Sequence, residues 1–217
     1  MAAVVINSFD TLCAATADWL NRADLTDQIP AFITLTTAQF NRELRLRDMM
    51  IRADTTSDQE NVQLPDDWLE HYSLVLDPGT PPQSPGWTNP PLRYMSEKES
   101  NALKQKNFGG TGQVTGYTVI GNMIELVLPP GADVDLKMVY YQRIPDLSTT
   151  VQTNWLLAKS PDLYLYSTLM QASPYLKDDD RMQVWGNTRQ ALMEMVRMES
   201  EAALRPRSGF RAQVKPF

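Results

Sequence analysis

The hydrophobic positions change period twice along the chain. From Ser8, the residues Leu12, Ala15, Trp19 and Leu20 recur at helical spacing. Ser8 is placed to cap that helix, which is expected to end near Asn21. A second helical stripe, Ile29, Phe32, Ile33, Thr36, Phe40 and Leu44, begins around Asp27 with Pro30 in its first turn. The two helices are expected to pair antiparallel. From about Met49 the period shortens. Met49 to Thr56, Val62 to Leu64 and Tyr72 to Leu76 are β-branched or alternating runs broken by turn residues, and they read as strands.

Residues 77–91 hold six prolines, which remove backbone donors and fix φ, so this stretch reads as an excursion loop. Ser96 and Glu99 have the spacing of a capping box and open a short helix that Phe108 to Gly112 ends. Tyr117 to Ile120, Met123 to Leu128 and Val134 to Gln142, separated by Gly121-Asn122 and Pro129-Pro-Gly131, predict a three-stranded antiparallel meander.

The helical period returns at Ser160, with Pro161 at the first helical position and Asp162 at the positive end of the dipole. Leu163, Leu165, Tyr166, Leu169, Met170 and Leu176 surround this helix on more than one side, so it is expected to lie between neighbours. Pro174 kinks or ends it. Asp178-Asp-Asp180 open a last helix to about Leu204, whose stripe is Met182, Trp185, Leu192, Val196 and Ala203, with Met193, Met195 and Met198 partly outside it.

Two terminal helix pairs flanking one β-rich segment predict an α+β fold. Residues 1–47 and 155–204 form a helical bundle, 48–154 an inserted small antiparallel β domain with the proline-rich loop 77–91, and 205–217 an extended C-terminal arm.

Candidate chemistry is thin. One cysteine, Cys13, excludes an internal disulfide, and one histidine, His71, leaves little for imidazole or zinc chemistry. Asp66, Asp67, Glu70 and His71 are the nearest thing to a catalytic or metal-binding group. Turn chemistry accounts for the two aspartates, and strand alternation sends Glu70 and His71 to opposite faces. Gly109-Gly-Thr-Gly112 lacks the lysine and following helix of a phosphate loop, and Asp178 to Asp180 are explained by helix capping. Cys13 has no basic neighbour to activate it. No catalytic residue, cofactor or metal is therefore expected, and the chain is expected not to be an enzyme. Trp68, Trp87 and Tyr94 sit near turns, where they either pack or offer stacking faces to sugars or bases.

Net charge is −6 over 217 residues. The tail from Arg205 carries Arg205, Arg207, Arg211 and Lys215 and no acid, which leaves −10 on the rest. A body of that sign argues against sequence-specific nucleic-acid binding. The start of the chain lacks the pattern of a signal peptide, and no apolar run reaches membrane-spanning length. A soluble protein that meets no membrane is expected.

Several runs resemble the head-to-tail adaptor (connector) proteins of tailed phages, especially the short-tailed ones. They are Ala17 to Leu25, Ile29 to Ile33, Phe40 to Arg45, Val62 to Leu69 and Tyr141 to Leu147. The most specific is Thr153-Asn-Trp-Leu-Leu157 leading into Ser160 to Tyr166 and Pro174 to Asp179. The resemblance covers roughly residues 5–200, and its motifs are caps, turns and apolar helix faces. It implies a structural virion protein at the head–tail junction, assembled in the host cytoplasm. The implied form is a homo-oligomeric ring, a dodecamer, that docks to the portal protein, extends the DNA channel and meets the tail nozzle or next tail component. Genomic DNA would pass through the lumen without specific binding.

A ring joins two different faces of one subunit. The expected subunit contacts are Leu165 and Leu169, on the surplus apolar face of their helix, with Met193, Met195 and Met198. The expected portal-docking arm is Arg205, Arg207, Phe210, Arg211, Val214, Lys215 and Phe217, in which apolar anchors recur between basic residues. Packing on its own subunit is the alternative for that arm. The competing class of function is a tail-associated sugar-binding or adhesion module, with the β domain carried on a helical stalk.

Overall fold

Helices begin where a side chain can take up the free amide hydrogens of a first turn. In the computed structural model, which describes residues 5–77, 91–106, 114–128, 130, 133–176 and 179–204, Ser8 accepts from the Thr11 amide while the Thr11 hydroxyl oxygen accepts from that of Ser8. The helix so opened ends at Asn21 in the left-handed region, φ 51°. Among the described residues the helices are α1 (Phe9–Leu20), α2 (Ile29–Glu43), α3 (Glu97–Lys106), α4 (Trp155–Lys159), α5 (Pro161–Leu176) and α6 (Asp179–Leu204). The strands are β1 (Met50–Ser57), β2 (Asn61–Gln63), β3 (Trp68–Asp77), β4 (Arg93–Tyr94), β5 (Gly116–Ile120), β6 (Met123–Leu126) and β7 (Val134–Gln142). The chain is thus α+β, and it divides into two compact units, residues 1–48 with 144–217 and residues 49–143.

The helical unit is organised around α5, which packs against α6, α2, α1 and α4. Leu163, Tyr164, Leu165, Leu169 and Ala172 are all buried, and each large side chain among them contributes about 1.5–3 kcal/mol by leaving water. Tyr164 meets Phe40 edge to face at 5.1 Å. Its hydroxyl accepts from Asn154 Nδ2 at 2.8 Å, while Asn154 Oδ1 caps α4 by accepting the Leu157 amide. The expected stripe of α2 is buried from Ile29 to Leu44. Trp19 departs from its expected place in the α1 stripe: it is exposed, with its ring edge-on to Tyr166.

Residues 144–154, which the sequence pattern leaves in the insertion, belong to the helical unit. Asn41 holds Ile144 at both its amide (2.7 Å) and its carbonyl (3.2 Å), and the Phe9 amide donates to Gln152. Pro174 stands inside α5, which ends two residues later at Leu176.

In the β unit, β7 lies between β1 and β3 in an antiparallel sheet, and a second sheet runs β2-β6-β5-β4. The expected meander is therefore wrong in its third strand. β5 and β6 form the hairpin, Tyr117 opposite Leu126, but β7 leaves for the other sheet. The backbone turns left-handed at Leu128, φ 93°, just before Pro129, and a proline cannot extend the ladder. β4 pairs parallel to β5, so the second sheet is mixed. Gly116 permits that pairing, since a Cβ there would stand 2.7 Å from the Arg93 carbonyl oxygen. The core of the unit includes Val62, Leu64, Leu74, Ile124, Leu126 and Leu136. Ser96 and Glu99 form the expected capping box at the start of α3, and Lys104 of α3 is paired with both Glu60 and Glu125.

Candidate functional site

The acid–histidine group does not converge. β3 carries irregularities in register between Trp68 and Glu70 and between His71 and Ser73. His71 stacks on Tyr94, with ring centroids 4.3 Å apart, and stands edge-on to Tyr117. Asp67 accepts from the Tyr140 hydroxyl at 2.8 Å and from Gln142, and its carbonyl accepts the Arg143 amide. It therefore ties the entry of β3 to the end of β7. Burial, together with the hydrogen bond and charge of Asp67, pushes Tyr140 up to about 12. Burial, with Asp10 nearby, pushes the Cys13 thiol up to about 11, the opposite of an activated nucleophile. Among the described residues, no three His, Cys, Asp or Glu side chains are grouped to hold a metal, and no helix is long and apolar enough to cross a membrane.

Trp68 packs against the β core, and Tyr94 gives one face to His71. Trp87, the proline-rich loop 78–90, the glycine run 109–112, the side chains of Asp178 to Asp180 and the arm 205–217 lie outside the described residues. A crevice of about 380 Å³ in the β unit is lined by apolar residues with Asp54, Thr55, Gln63 and Asp66.

The surface that stands out lies on α6. One side of this helix, Trp185, Arg189, Met193, Val196 and Ser200, is buried at spacings of three and four. Met193, at 1% exposure, belongs to that side. Leu169, fully buried, and Leu165, at 5%, are likewise inside the subunit. These three are corrected from subunit contacts to core residues. The surplus apolar face of α5 is covered within the same chain, by α6 on one part and by α1 and α2 on another.

Met195 and Met198 are different, at 47% and 59% exposure. With Val184, Ala191 and Ala202 they make an exposed apolar stripe at spacings of seven, four, three and four. Such a face is ordinarily polar on a solvated helix, and methionine adapts its shape to a partner.

Polar ties fix α6 so that this stripe faces outward. Arg189, whose side chain is 8% exposed, pairs with Glu43 at 2.7 Å, and Arg197 donates to the Glu43 carbonyl. The Arg47 amide donates to Ser200 Oγ at 2.7 Å, and Lys159 stands 3.8 Å from Glu199. Burial works against the Glu43 carboxylate, but hydrogen bonds from Arg189 and Gln39 and the charges of Arg189 and Arg197 outweigh it and hold its pKa below the usual carboxylate range. Sequence reasoning missed this pair. Its signal was an arginine at a core position of the α6 stripe, where an unpaired charge is not tolerated.

A family model described as the SU10 adaptor protein matches residues 7–209, a span that takes in both units. No curated protein matches the chain.

Proposed function

The chain belongs to the SU10 adaptor protein family, structural proteins of phage virion assembly, and from that premise we propose that it forms a ring at the head–tail junction. In this reading the ring docks beneath the portal, continues the DNA channel and presents a platform to the tail nozzle or the next tail component. The family match over nearly the whole chain carries the reading. The exposed methionine stripe on α6 supports self-association. The acidic body suits a channel protein, because a wall rich in lysine would hold phosphates as DNA passed.

In the same reading the arm from Arg205 to Phe217 reaches the portal, with Phe210, Val214 and Phe217 as anchors and Arg207, Arg211 and Lys215 as charges for an acidic groove. Thirteen extended residues span at most about 45 Å. Electron microscopy and native mass spectrometry of the purified protein, alone and with portal, test the proposal. Rings of twelve stacked on the portal are expected, and removal of residues 206–217 should weaken attachment while leaving the subunit folded. A protein that stays monomeric with portal present refutes the ring. Undiminished portal binding by the truncated chain refutes the arm.

A further inference from the structure

The crevice in the β unit lies where a sheet ends. β1 pairs with β7 in unbroken register, from Met50 opposite Tyr141 to Ser57 opposite Val134. Among the described residues its other edge pairs with nothing. β3, at the far side of the same sheet, is the opposite case. Its register is broken twice, a β-bridge joins Val75 to Pro91, and the Leu92 amide donates to the Leu74 carbonyl at 2.7 Å. Bulges and covering segments keep a sheet edge from pairing. β1 has no bulge and no proline, and a regular open edge of this kind takes another strand.

The inner face of β1 is also underfilled. Ile51, Ala53 and Thr55 stand opposite Tyr140, Met138 and Leu136 of β7, all three buried. Alternation therefore turns Ile51, Ala53 and Thr55 toward the core and Arg52, Asp54 and Thr56 away from it. Ala53 and Thr55 are small, and β2, at the edge of the second sheet, is only three residues long. What remains between these edges is the crevice of about 380 Å³, floored by Val62, Leu64, Leu74, Ile124, Leu136 and Met138. Its carboxylates ask for no new cation, since Asp54 stands directly opposite Lys137 and Asp66 is exposed to water.

An uncharged, β-branched segment fits such an edge. The chain has one ahead of α1: Met1-Ala-Ala-Val-Val-Ile6 holds no charge, proline or glycine. Val5 is 70% exposed although it is apolar, and Ser8 and Thr11 cap α1 without the help of residues 1–6. The other stretches outside the described residues suit a ladder less. The loop 78–90 is rich in proline, 107–113 in glycine, and the arm carries Pro206, Gly209, Pro216 and four cations.

We infer that residues 2–6 of one subunit add as a further strand to the free edge of β1 in a second copy of the chain, with Ala3 and Val5 turned into the crevice. Five extended residues span about 17 Å and the eight of β1 about 27 Å, so the segment lies wholly on the edge it pairs with. Donor and acceptor surfaces differ, so the contact is heterologous and passes from subunit to subunit until the ring closes. The inference rests on the ring reading and names one contact that builds it.

Cross-linking tests it. In a Cys13→Ser background, a chain with Val5→Cys is co-expressed with a chain with Thr55→Cys, and the assembled protein is treated with a short bismaleimide. Covalent dimers holding one chain of each kind are expected on mass spectrometry. Deleting residues 2–6 should lower the ring population about tenfold or more, while circular dichroism shows the subunit folded. In wild-type rings every second amide of β1, those that β7 does not take, should exchange slowly, and in the deleted chain they should exchange fast.

Rings that give no mixed dimers overturn the pairing. A link formed only inside a chain that carries both cysteines overturns it as well, because the segment then lies on its own subunit. So does exposure of the β1 amides by removal of 206–217 instead of 2–6, which puts the arm in the crevice. A wild-type chain that makes no ring, alone or with portal, is a different failure: it removes the ring reading, and the pairing falls with it.

Discussion

The two units reach stability by different routes. The helical unit joins segments more than a hundred residues apart, and its apolar stripes do most of that work around α5. Its polar ties are long-range, such as Glu43 to Arg189 and Asn41 to Ile144. The β unit closes on itself within residues 49–143. It adds polar clamps, Asp67 on Tyr140 and Lys104 between two glutamates, to a small core. The exposed apolar residues differ as well. In the β unit Ile51, Tyr72, Tyr94, Ile120 and Met123 are exposed on five strands, Ile120 opposite Met123, whereas on α6 Val184, Met195 and Met198 follow one line. A regular apolar line is what a partner helix can read, and that line is the observation that supports the self-association proposed above.

The comparison breaks most sharply at Leu165. Leu165→Asp buries a charge beside α6 or α2 and should cost more than about 4 kcal/mol. Amide exchange should then show α1, α2, α5 and α6 losing protection together while β3 and β7 keep theirs. Loss of β7 protection as well would mean that the units do not fold separately. Leu136→Ala is the converse, about 2–5 kcal/mol confined to the β unit, read by the same exchange experiment.

Glu43→Gln leaves Arg189 buried without its charge partner. Breaking a buried pair is costly, but Glu43 is one third exposed, so the expected loss is about 1–3 kcal/mol. Since the Glu43 pKa is held below its ordinary 4.5, its contribution is present above that pH and disappears as pH falls through the folded value. Thermal melts of the variant should therefore lose part of the acid sensitivity of the wild type.

In the β unit the pH effect lies at the other end of the scale. Tyr140 is raised to about 12, so its contribution is complete below about pH 10 and fades as pH climbs toward 12. Asp67→Asn should lower the Tyr140 pKa only part of the way in an ultraviolet titration, because burial, the larger cause, remains. The smallest effect is expected for His71→Gln, about 0.5–1.5 kcal/mol from the lost ring contact with Tyr94. Phage infectivity should be unchanged, and its loss with an intact fold would reveal a role for the histidine that its packing does not explain.

Caps, turns and stripe positions were legible in the chain, because each depends on residues within about four positions of one another. Ser8, Asn21, the capping box at Ser96 and the buried line of α2 all belong to this class. The resemblance runs were legible too, although their physical roles were not. Asn154 and Tyr164 prove to share one hydrogen bond in the core, and Asn41 to hold Ile144 across 103 positions.

Only the tertiary structure decided which partner covers a given face. An apolar surplus on α5 has the same sequence pattern whether a helix of its own chain or of another subunit lies on it. Here its own α6, α2 and α1 lie on it, which moved Leu165, Leu169 and Met193 into the core and left Met195 and Met198 outside. The strand β7 follows the same logic. Alternation shows that it is a strand, but the choice between neighbours depends on long-range pairing, which local periodicity does not encode.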